Sequence, residues 1–199
     1  MDNDRKQYFE SFADDWDKMF TAEDLELLEF LIDSFNLDEG AKVADLGCGT
    51  GVLFDMIRRK IGSSGLLVGI DFCTPMVQKA KLNFPFDNIH TLDADAEFLP
   101  LKDMAFDVAI TFAAFAHFLH QDVVVKEVSR VLKPGGHFYI MHLVSSEELE
   151  EIHHQAGGPI AEDHLPSRDE MTSLLETGDF TNIKITDHPG LYLVEAVKA

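Results

Sequence analysis

Two patterns of apolar residues alternate along most of the chain, and each predicts one kind of secondary structure. Short continuous apolar runs predict buried strands, and apolar residues three or four positions apart predict amphipathic helices. The predicted elements after residue 40 are strand 43–46, helix 51–60, strand 65–70, helix 75–83, strands 89–93 and 106–112, helix 121–132 and strand 136–143. Strands that alternate with helices in this way build a parallel sheet with helices on both faces. The pattern therefore predicts an α/β fold.

The two ends of the chain follow other patterns. Residues 5–19 predict a helix, because large apolar side chains recur there at near-helical spacing: Tyr8, Phe9, Phe12, Trp16 and Met19. Thr21 predicts the N-cap of a second helix that runs to about Phe35, since Asp24 completes a capping box. Near the other end, helix 167–177 precedes two strands, 182–187 and 191–197, that a Pro-Gly turn joins into a hairpin.

Length and composition favour one globular domain. The chain has 199 residues, of which 46% are hydrophobic, and both values are ordinary for a single domain. The longest apolar run, Val108 to Ala116, is too short to span a bilayer. No apolar stretch that could serve as a secretory signal follows the first six residues. We therefore expect a cytoplasmic protein without membrane insertion.

The charge balance narrows the choice of partner. Lys and Arg number 16 against 36 for Asp and Glu, which gives a net charge of −20. Such a charge opposes binding to nucleic acids and to anionic membranes. We therefore expect a small-molecule substrate and no nucleic acid, while the oligomeric state is left open. The two cysteines, Cys48 and Cys73, do not suggest a disulfide framework.

A glycine-rich turn follows the first predicted strand and carries the most specific chemical signal. Gly47, Gly49 and Gly51 stand between strand 43–46 and the next helix, the arrangement that brings backbone N–H groups up to a nucleotide-like ligand. The spacing differs from the dinucleotide fingerprint, which disfavours a dinucleotide oxidoreductase. Asp45, two residues before the first glycine, would repel a pyrophosphate. It suits a cationic ligand with an ammonium and a sulfonium, which is the chemistry of S-adenosylmethionine.

Two further acids stand at the ends of predicted strands. Asp71 ends the strand that follows the glycine turn, and an acid at this place can accept both ribose hydroxyls of an adenosine. Asp95 follows the next strand, where its carboxylate is able to bind an adenine amine. Together with the glycine turn, these acids predict a site for an adenosine-containing cation.

Five motifs in order resemble one known family. VADLGCGTG, VGID, DADAEFLPL, FDVAITF and RVLKPGG are similar to the motifs of class I S-adenosylmethionine-dependent methyltransferases, and within them to the small-molecule group of the ubiquinone and menaquinone methyltransferases. The resemblance implies a Rossmann-like, doubly wound, seven-stranded sheet of order 3-2-1-4-5-7-6 with an N-terminal helical lid. It divides the single domain 1–199 into lid 1–36, cofactor-binding core 37–143, acceptor loop 144–168, and final helix and hairpin 169–199.

The resemblance also implies a cofactor site. S-adenosylmethionine, with S-adenosylhomocysteine as its product, is expected to contact the glycine turn, the strand ends and the lid, through Tyr8, Phe12, Trp16, Asp45, Gly47, Cys48, Gly49, Gly51, Asp71, Phe72, Met76, Asp95, Ala96 and Phe112. For Tyr8, Phe12 and Trp16 two interpretations stay open. They either cover the methionine end of the cofactor or pack a helix against the core.

Candidate catalytic residues are histidines, because methyl transfer needs mainly alignment and at most one general base. His117 follows the fourth strand, His142 lies near the end of the fifth, and His154 lies in the predicted acceptor loop. Each also has a structural interpretation, such as bracing a loop or bonding a backbone carbonyl. A metal site is an alternative, and its ligands would be Glu162 or Asp163 together with the histidines His142, His153, His154 and His164. The spacing of these residues matches no zinc signature, so no metal is assigned.

The predicted function is therefore S-adenosylmethionine-dependent methyl transfer to a small molecule. Two alternatives remain at this point: a non-catalytic protein that binds S-adenosylmethionine, and a metal-dependent methyltransferase that uses the histidine-rich loop.

Overall fold

The computed structural model describes residues 3–199 and contains one seven-stranded sheet. Its strands are β1 (Lys42–Leu46), β2 (Leu66–Asp71), β3 (Ile89–Asp93), β4 (Phe106–Phe112), β5 (Leu132–His142), β6 (Phe180–His188) and β7 (Leu191–Lys198). Their order in the sheet is β3-β2-β1-β4-β5-β7-β6. The first five strands are parallel, and β7 is antiparallel to both β5 and β6. The predicted sheet order is confirmed.

Seven helices connect or precede these strands in the described part of the chain. They are α1 (Asn3–Phe12), α2 (Ala22–Ser34), α3 (Phe54–Ile61), α4 (Thr74–Asn83), α5 (Gln121–Val131), α6 (Ser146–Ala156) and α7 (Arg168–Thr177). Short 3₁₀ turns lie at Trp16–Met19, Phe115–His117 and Gly158–Ile160. The predicted capping box at the start of α2 is present, since Thr21 and Asp24 each accept from the other's backbone N–H. No helix in residues 3–199 is both long and apolar enough to cross a membrane.

The central strands are buried on both faces, as their continuous apolar sequence predicts. Val43, Ala44 and Leu46 of β1 are fully buried, and they contribute to the two apolar clusters that fill the space on either side of the sheet. In the sheet, β1 lies between β2 and β4, so the order of the strands changes direction at β1. The crevice at the carboxyl ends of these strands is where α/β sheets of this kind bind ligands.

Three predicted elements differ from the structure by three residues or more at one boundary. The helix predicted over 5–19 is interrupted, because hydrogen bonds three residues apart, from Ala13 to Glu10 and from Asp15 to Phe12, replace the α-helical ones. Helix α3 begins at Phe54 and not at residue 51, since the glycine turn continues three residues further. Strand β5 begins at Leu132 and not at 136, so the Pro-Gly-Gly segment lies within the strand beside a register shift in β4.

Candidate active site

The glycine turn after β1 folds back onto β2. The N–H groups of Gly47 and Cys48 both donate to the carbonyl of Ile70, at 2.8 and 3.1 Å. Gly47, Gly49 and Gly51 have positive φ angles of 68°, 53° and 90°, which residues other than glycine rarely adopt. Two sequence signals, the glycines and the strand before them, thus produce a turn that is held by the neighbouring strand.

Two of these glycines also permit close approach of other groups. A Cβ added to Gly47 would overlap the Cβ of Ala114, and one added to Gly49 would lie 3.1 Å from Nε1 of Trp16. Gly51 differs, because a Cβ there would meet the ring of Phe54 at the start of α3. Gly47 and Gly49 therefore form the floor of the site, and Gly51 shapes the junction with the helix.

Asp71, at the end of β2, connects this turn to the next loop. Its carboxylate accepts hydrogen bonds from the N–H of Gly49 and from the N–H of Cys73, each at 2.8 Å. The residue is 8% exposed, and burial raises its pKa to about 6 although both hydrogen bonds favour the ionised form. Each carboxylate oxygen keeps a free lone pair, so Asp71 is able to accept two further hydroxyl donors.

Asp45 lies beneath the turn and is only 1% exposed. One of its carboxylate oxygens, Oδ1, has no hydrogen-bond partner among the described residues. Burial, together with the charge of Asp71, raises the pKa of Asp45 well above its usual range. Asp45 lines a small cavity together with Cys48 and Phe112, both of which were predicted for the cofactor site. A buried acceptor without a partner is expected to receive a donor from a ligand or a water.

A larger cavity of about 80 Å³ lies at the carboxyl edge of the sheet. It brings together the lid, the glycine turn, the end of β2, the loop after β3 and the loop after β4. Its lining includes Phe9, Trp16, Gly47, Gly49, Asp71, Phe72, Met76, Asp95, Ala96, Ala114, His117 and Leu119. Of the predicted cofactor residues, this cavity collects Trp16, two glycines, Asp71, Phe72, Met76, Asp95 and Ala96.

Two aromatic side chains of the lid line this cavity, and one of them was not predicted for the cofactor site. Phe9 and Trp16 line it, whereas Tyr8 and Phe12 do not. Phe12 is 36% exposed, and Tyr8 packs against Phe9 and Phe12 on the outer part of α1. Arg5 and Phe9 lie four residues apart in α1 and share the face that lines the cavity, whereas Tyr8 is about 100° away from Phe9 around the helix. The contact of Tyr8 and Phe12 with the cofactor stays a prediction, and Phe9 joins Trp16 as a lid residue that lines the cavity.

Polar contacts hold the lid against the core. Lys79 of α4 binds the carboxylate of Asp14 and the carbonyl of Ala13, both at 2.7 Å. Thr50 of the glycine turn donates to Asp17. These contacts lie at the end of the lid that carries Trp16, so the aromatic cover of Gly49 is fixed from two sides.

His117 also lines the cavity, and it lies within a cluster of buried charged groups. Its Nδ1 is 2.7 Å from Oδ2 of Asp163, and the two side chains are 12% and 9% exposed. The same oxygen of Asp163 accepts from the guanidinium of Arg5, which belongs to the lid helix α1 and is itself buried. Arg5 also donates to the carbonyl of Pro159, at 2.9 Å. Helix α1, the segment between α6 and α7, and the turn after β4 thus meet at one carboxylate.

The other predicted histidines occupy contrasting positions. His142 is 2% exposed, its Nε2 has no partner among the described residues, and burial lowers its pKa to about 3. The ring of His153 lies 4.7 Å from that of His117. His154 instead faces outward, over a surface groove with Glu150 and Glu151. Neighbouring helix residues point about 100° apart, so the inward position of His153 turns His154 away from the site that it was predicted to join.

The structure offers little support for a metal or thiol centre. Within residues 3–199, no group of three or more His, Cys, Asp and Glu side chains is arranged to hold a metal ion. Cys48 and Cys73 are free and buried, and burial raises the pKa of both thiols. Buried thiols with raised pKa values are poor nucleophiles.

The sheet order, the acid that precedes the glycine turn and the acid at the end of β2 define the class of protein. It is the Rossmann-like fold of S-adenosylmethionine-dependent methyltransferases. Residues 37–178 match the family model described as "Methyltransferase domain". The chain belongs to this methyltransferase family.

Curated relatives and solved structures agree with this assignment. The ubiquinone/menaquinone biosynthesis C-methyltransferase UbiE of Hahella chejuensis is 34% identical over 56% of the chain and 47% of its own length. The demethylmenaquinone methyltransferase of Staphylococcus aureus is 25% identical over 76% of the chain and 73% of its own length. The chain spans about half the length of the first relatives that it matches.

Two solved structures show the same fold at low sequence identity. A methyltransferase of Haloferax volcanii, in complex with the activator Trm112, superposes with a TM-score of 0.79 at 23% identity, over 95% of this chain and 96% of that one. A SAM-dependent methyltransferase of Aquifex aeolicus has a TM-score of 0.73 at 23% identity, over 94% and 98%. At this identity the likeness concerns the fold alone.

Proposed function

We propose that the protein binds S-adenosylmethionine and transfers its methyl group to a small acceptor of the quinone-precursor type. One observation carries the proposal: a single cavity at the carboxyl edge of the sheet is lined by the glycine turn, by Asp71 and by His117. The acceptor class is suggested by the names of the relatives and by the apolar side chains near His117.

The chain's own groups fit this cofactor. The free lone pairs of Asp71 suit the two ribose hydroxyls, and the apolar side chains of Phe72 and Met76 suit the adenine ring. Asp95 uses Oδ1 to cap the following turn, so its other oxygen is available to an amine. The unpartnered oxygen of Asp45 and the overall acidity of the lining suit the positive charges of the methionine part.

Most of the rate acceleration is proposed to come from positioning the cofactor against the acceptor and from excluding water. When bound, S-adenosylmethionine supplies a methyl group on a positively charged sulfur that leaves as a thioether. Holding two reactants in line can contribute about 7–11 kcal/mol to lowering the barrier. Phe9 and Trp16 of the lid cover the cavity, and Ala114 and Gly47 leave no space between the turn and the loop after β4. These contacts limit the entry of water.

The acceptor is proposed to bind beside His117. Phe9 packs against the His117 ring with centroids 4.9 Å apart, and Phe118 and Leu119 extend the apolar lining. A flat aromatic acceptor with a hydroxyl or an acidic carbon matches such a surface. His117 is the candidate base, because burial lowers its pKa and leaves its ring neutral near pH 7. A positioned base contributes about 10²–10⁴-fold to a rate.

Calorimetry followed by an acceptor screen tests this function. S-adenosylhomocysteine and S-adenosylmethionine are titrated into the protein, and methyl transfer from labelled S-adenosylmethionine to a series of dihydroxyaromatic compounds is measured. We expect both ligands to bind, and we expect His117→Gln to keep the binding while losing transfer. Absence of binding to either ligand would contradict the proposed function. Binding without methyl transfer to any acceptor would contradict the catalytic part of the proposal and indicate a protein that only binds the cofactor.

A further inference from the structure

We infer that Asp163 is a positioning residue, which holds His117 in the tautomer that carries its proton on Nδ1 and presents a bare Nε2 to the cavity. The role of His117 as a base rests on the proposed function. The tautomer itself does not, because it follows from hydrogen bonds that the cofactor-free protein already makes.

The chemistry of the carboxylate fixes the direction of the hydrogen bond. Burial acts to raise the pKa of Asp163, but the hydrogen bonds from His117 and Arg5 outweigh it and hold the pKa below its usual range. An ionised carboxylate accepts hydrogen bonds and cannot donate them. The 2.7 Å contact with Oδ2 therefore requires a proton on Nδ1 of His117. In a neutral imidazole, this leaves the lone pair on Nε2.

Charged and titratable groups surround His117 on every side. Burial lowers its pKa, and His153 and Arg5 act in the same direction, whereas Asp163 opposes them. His142 also belongs to this cluster, because positive charge on His117 or His153 acts to lower the pKa of His142. The His117 ring is thus neutral near pH 7, while its Nδ1 is hydrogen-bonded to the ionised carboxylate of Asp163. That combination favours a base which accepts a proton at Nε2 and is then stabilised as imidazolium.

Asp163 is itself held in place by both the acceptor loop and the lid. Its N–H donates to the carbonyl of Ile160 at 2.9 Å, and its carbonyl lies 2.7 Å from Nδ1 of His153, which must be the donor. Arg5 reaches the carboxylate from α1. The carboxylate that orients His117 is therefore held from two separate segments of the chain.

In the proposed step, His117 takes up the proton and the sulfur takes up the electron pair. His117 accepts at Nε2 the proton that the acceptor atom loses, as that atom forms its bond to the methyl carbon. The carbon–sulfur bond breaks with its electron pair on sulfur, which yields S-adenosylhomocysteine. The imidazolium pairs with the Asp163 carboxylate and later releases the proton to water. Asp163 touches neither the acceptor nor the cofactor in this scheme.

Nitrogen NMR of the histidine rings tests the inference without an acceptor. Protein labelled with ¹⁵N-histidine is examined at pH 7, without ligand and with S-adenosylhomocysteine, and His117 is assigned by the loss of its signal in His117→Gln. We expect the Nδ1–H form to predominate in the unsubstituted protein. Asp163→Ala is expected to shift the population toward Nε2–H, whereas Asp163→Asn, which keeps an acceptor oxygen, should retain Nδ1–H and lower the pKa of His117.

Glu162→Gln is the matched control, because it removes one negative charge from the neighbouring, exposed residue and should leave the His117 signals unchanged. A predominant Nε2–H form in the unsubstituted protein would overturn the inference, even where Asp163→Ala does not fold. An unchanged tautomer in folded Asp163→Ala would overturn it as well. Calorimetry with S-adenosylhomocysteine on the same samples separates this failure from failure of the proposed function, which predicts binding in every one of them.

Discussion

The indole of Trp16 lies directly against Gly49, so that a Cβ added to this glycine would stand 3.1 Å from Nε1. Trp16 belongs to the lid, and Gly49 belongs to the turn that is proposed to hold the methionine part of the cofactor. A ligand that reaches Gly49 must therefore contact or displace the indole. Because the chain contains a single tryptophan, this one contact is open to direct observation.

We predict that S-adenosylhomocysteine changes the fluorescence of Trp16 in a saturable way. The indole exchanges its contact with Gly49 for contact with the ligand, and so its surroundings change. The midpoint of the fluorescence change should equal the dissociation constant from calorimetry. Trp16→Phe should abolish the signal while leaving binding measurable. Binding by calorimetry with no change in emission would contradict the placement of the ligand beside Trp16.

Asp71→Ala is predicted to weaken S-adenosylhomocysteine binding by between about a hundredfold and ten-thousandfold. Each hydrogen bond to a charged group contributes about 1.5–3 kcal/mol, and the carboxylate is proposed to accept from two ribose hydroxyls. Calorimetry measures the loss, and circular dichroism checks that the fold survives. Asp93→Asn is a suitable control, since Asp93 stands opposite Asp71 in the β2–β3 register but is exposed. Equal affinity of Asp71→Ala and the unsubstituted protein would exclude the ribose role.

Binding is predicted to release about half a proton at pH 6, because the pKa of Asp71 is raised to about 6 in the free protein. The complex requires the ionised carboxylate, so the protonated half must lose its proton on binding. Affinity should therefore rise with pH through this region and become constant above it. Calorimetry in buffers of different ionisation enthalpy measures the release.

Asp45→Asn is the control for this release, since Asp45 is the other carboxyl group of the site with a raised pKa. The half proton should persist in this variant if Asp71 is its source. A release that disappears with Asp45→Asn would assign the titration to Asp45 instead.

Gly47→Ala is predicted to destabilise the fold by more than its backbone conformation alone requires. The added Cβ would overlap Ala114, and overpacking of this kind costs about 1–3 kcal/mol. A left-handed conformation adds about 1–2 kcal/mol. Gly135→Ala is the matched comparison, because Gly135 also has a positive φ but no atom within 4 Å of the added Cβ. Urea unfolding of both variants should show the larger loss for Gly47→Ala, and equal losses would contradict the close approach.

The sheet, and the grouping of the glycine turn with Asp71 around one cavity, could be predicted from the sequence because their signals are local. Asp45, Gly47 and Gly49 lie within five residues of each other, and Asp71 ends an apolar run that is readable as a strand. The order of the strands followed from the resemblance, and the structure confirms it. Local signals also predicted the capping box of Thr21.

The lid and the histidine cluster could not be predicted in the same way. The choice between Phe9 and its neighbours depended on how α1 is rotated about its axis against the core. The choice between His153 and His154 depended on how α6 is rotated about its axis. The pairing of Arg5 with Asp163 joins residues 158 positions apart, and no local pattern marks it.

That pairing has a consequence for any attempt to redesign the protein. Arg5 and Asp163 bury opposite charges against each other, and a buried charge that loses its partner costs about 3–5 kcal/mol. An acceptor loop grafted from another methyltransferase would leave Arg5 uncompensated unless the graft carries a carboxylate at the same place. Exchanges of the loop and of the lid are thus coupled, and the two segments should be transplanted together or matched in charge.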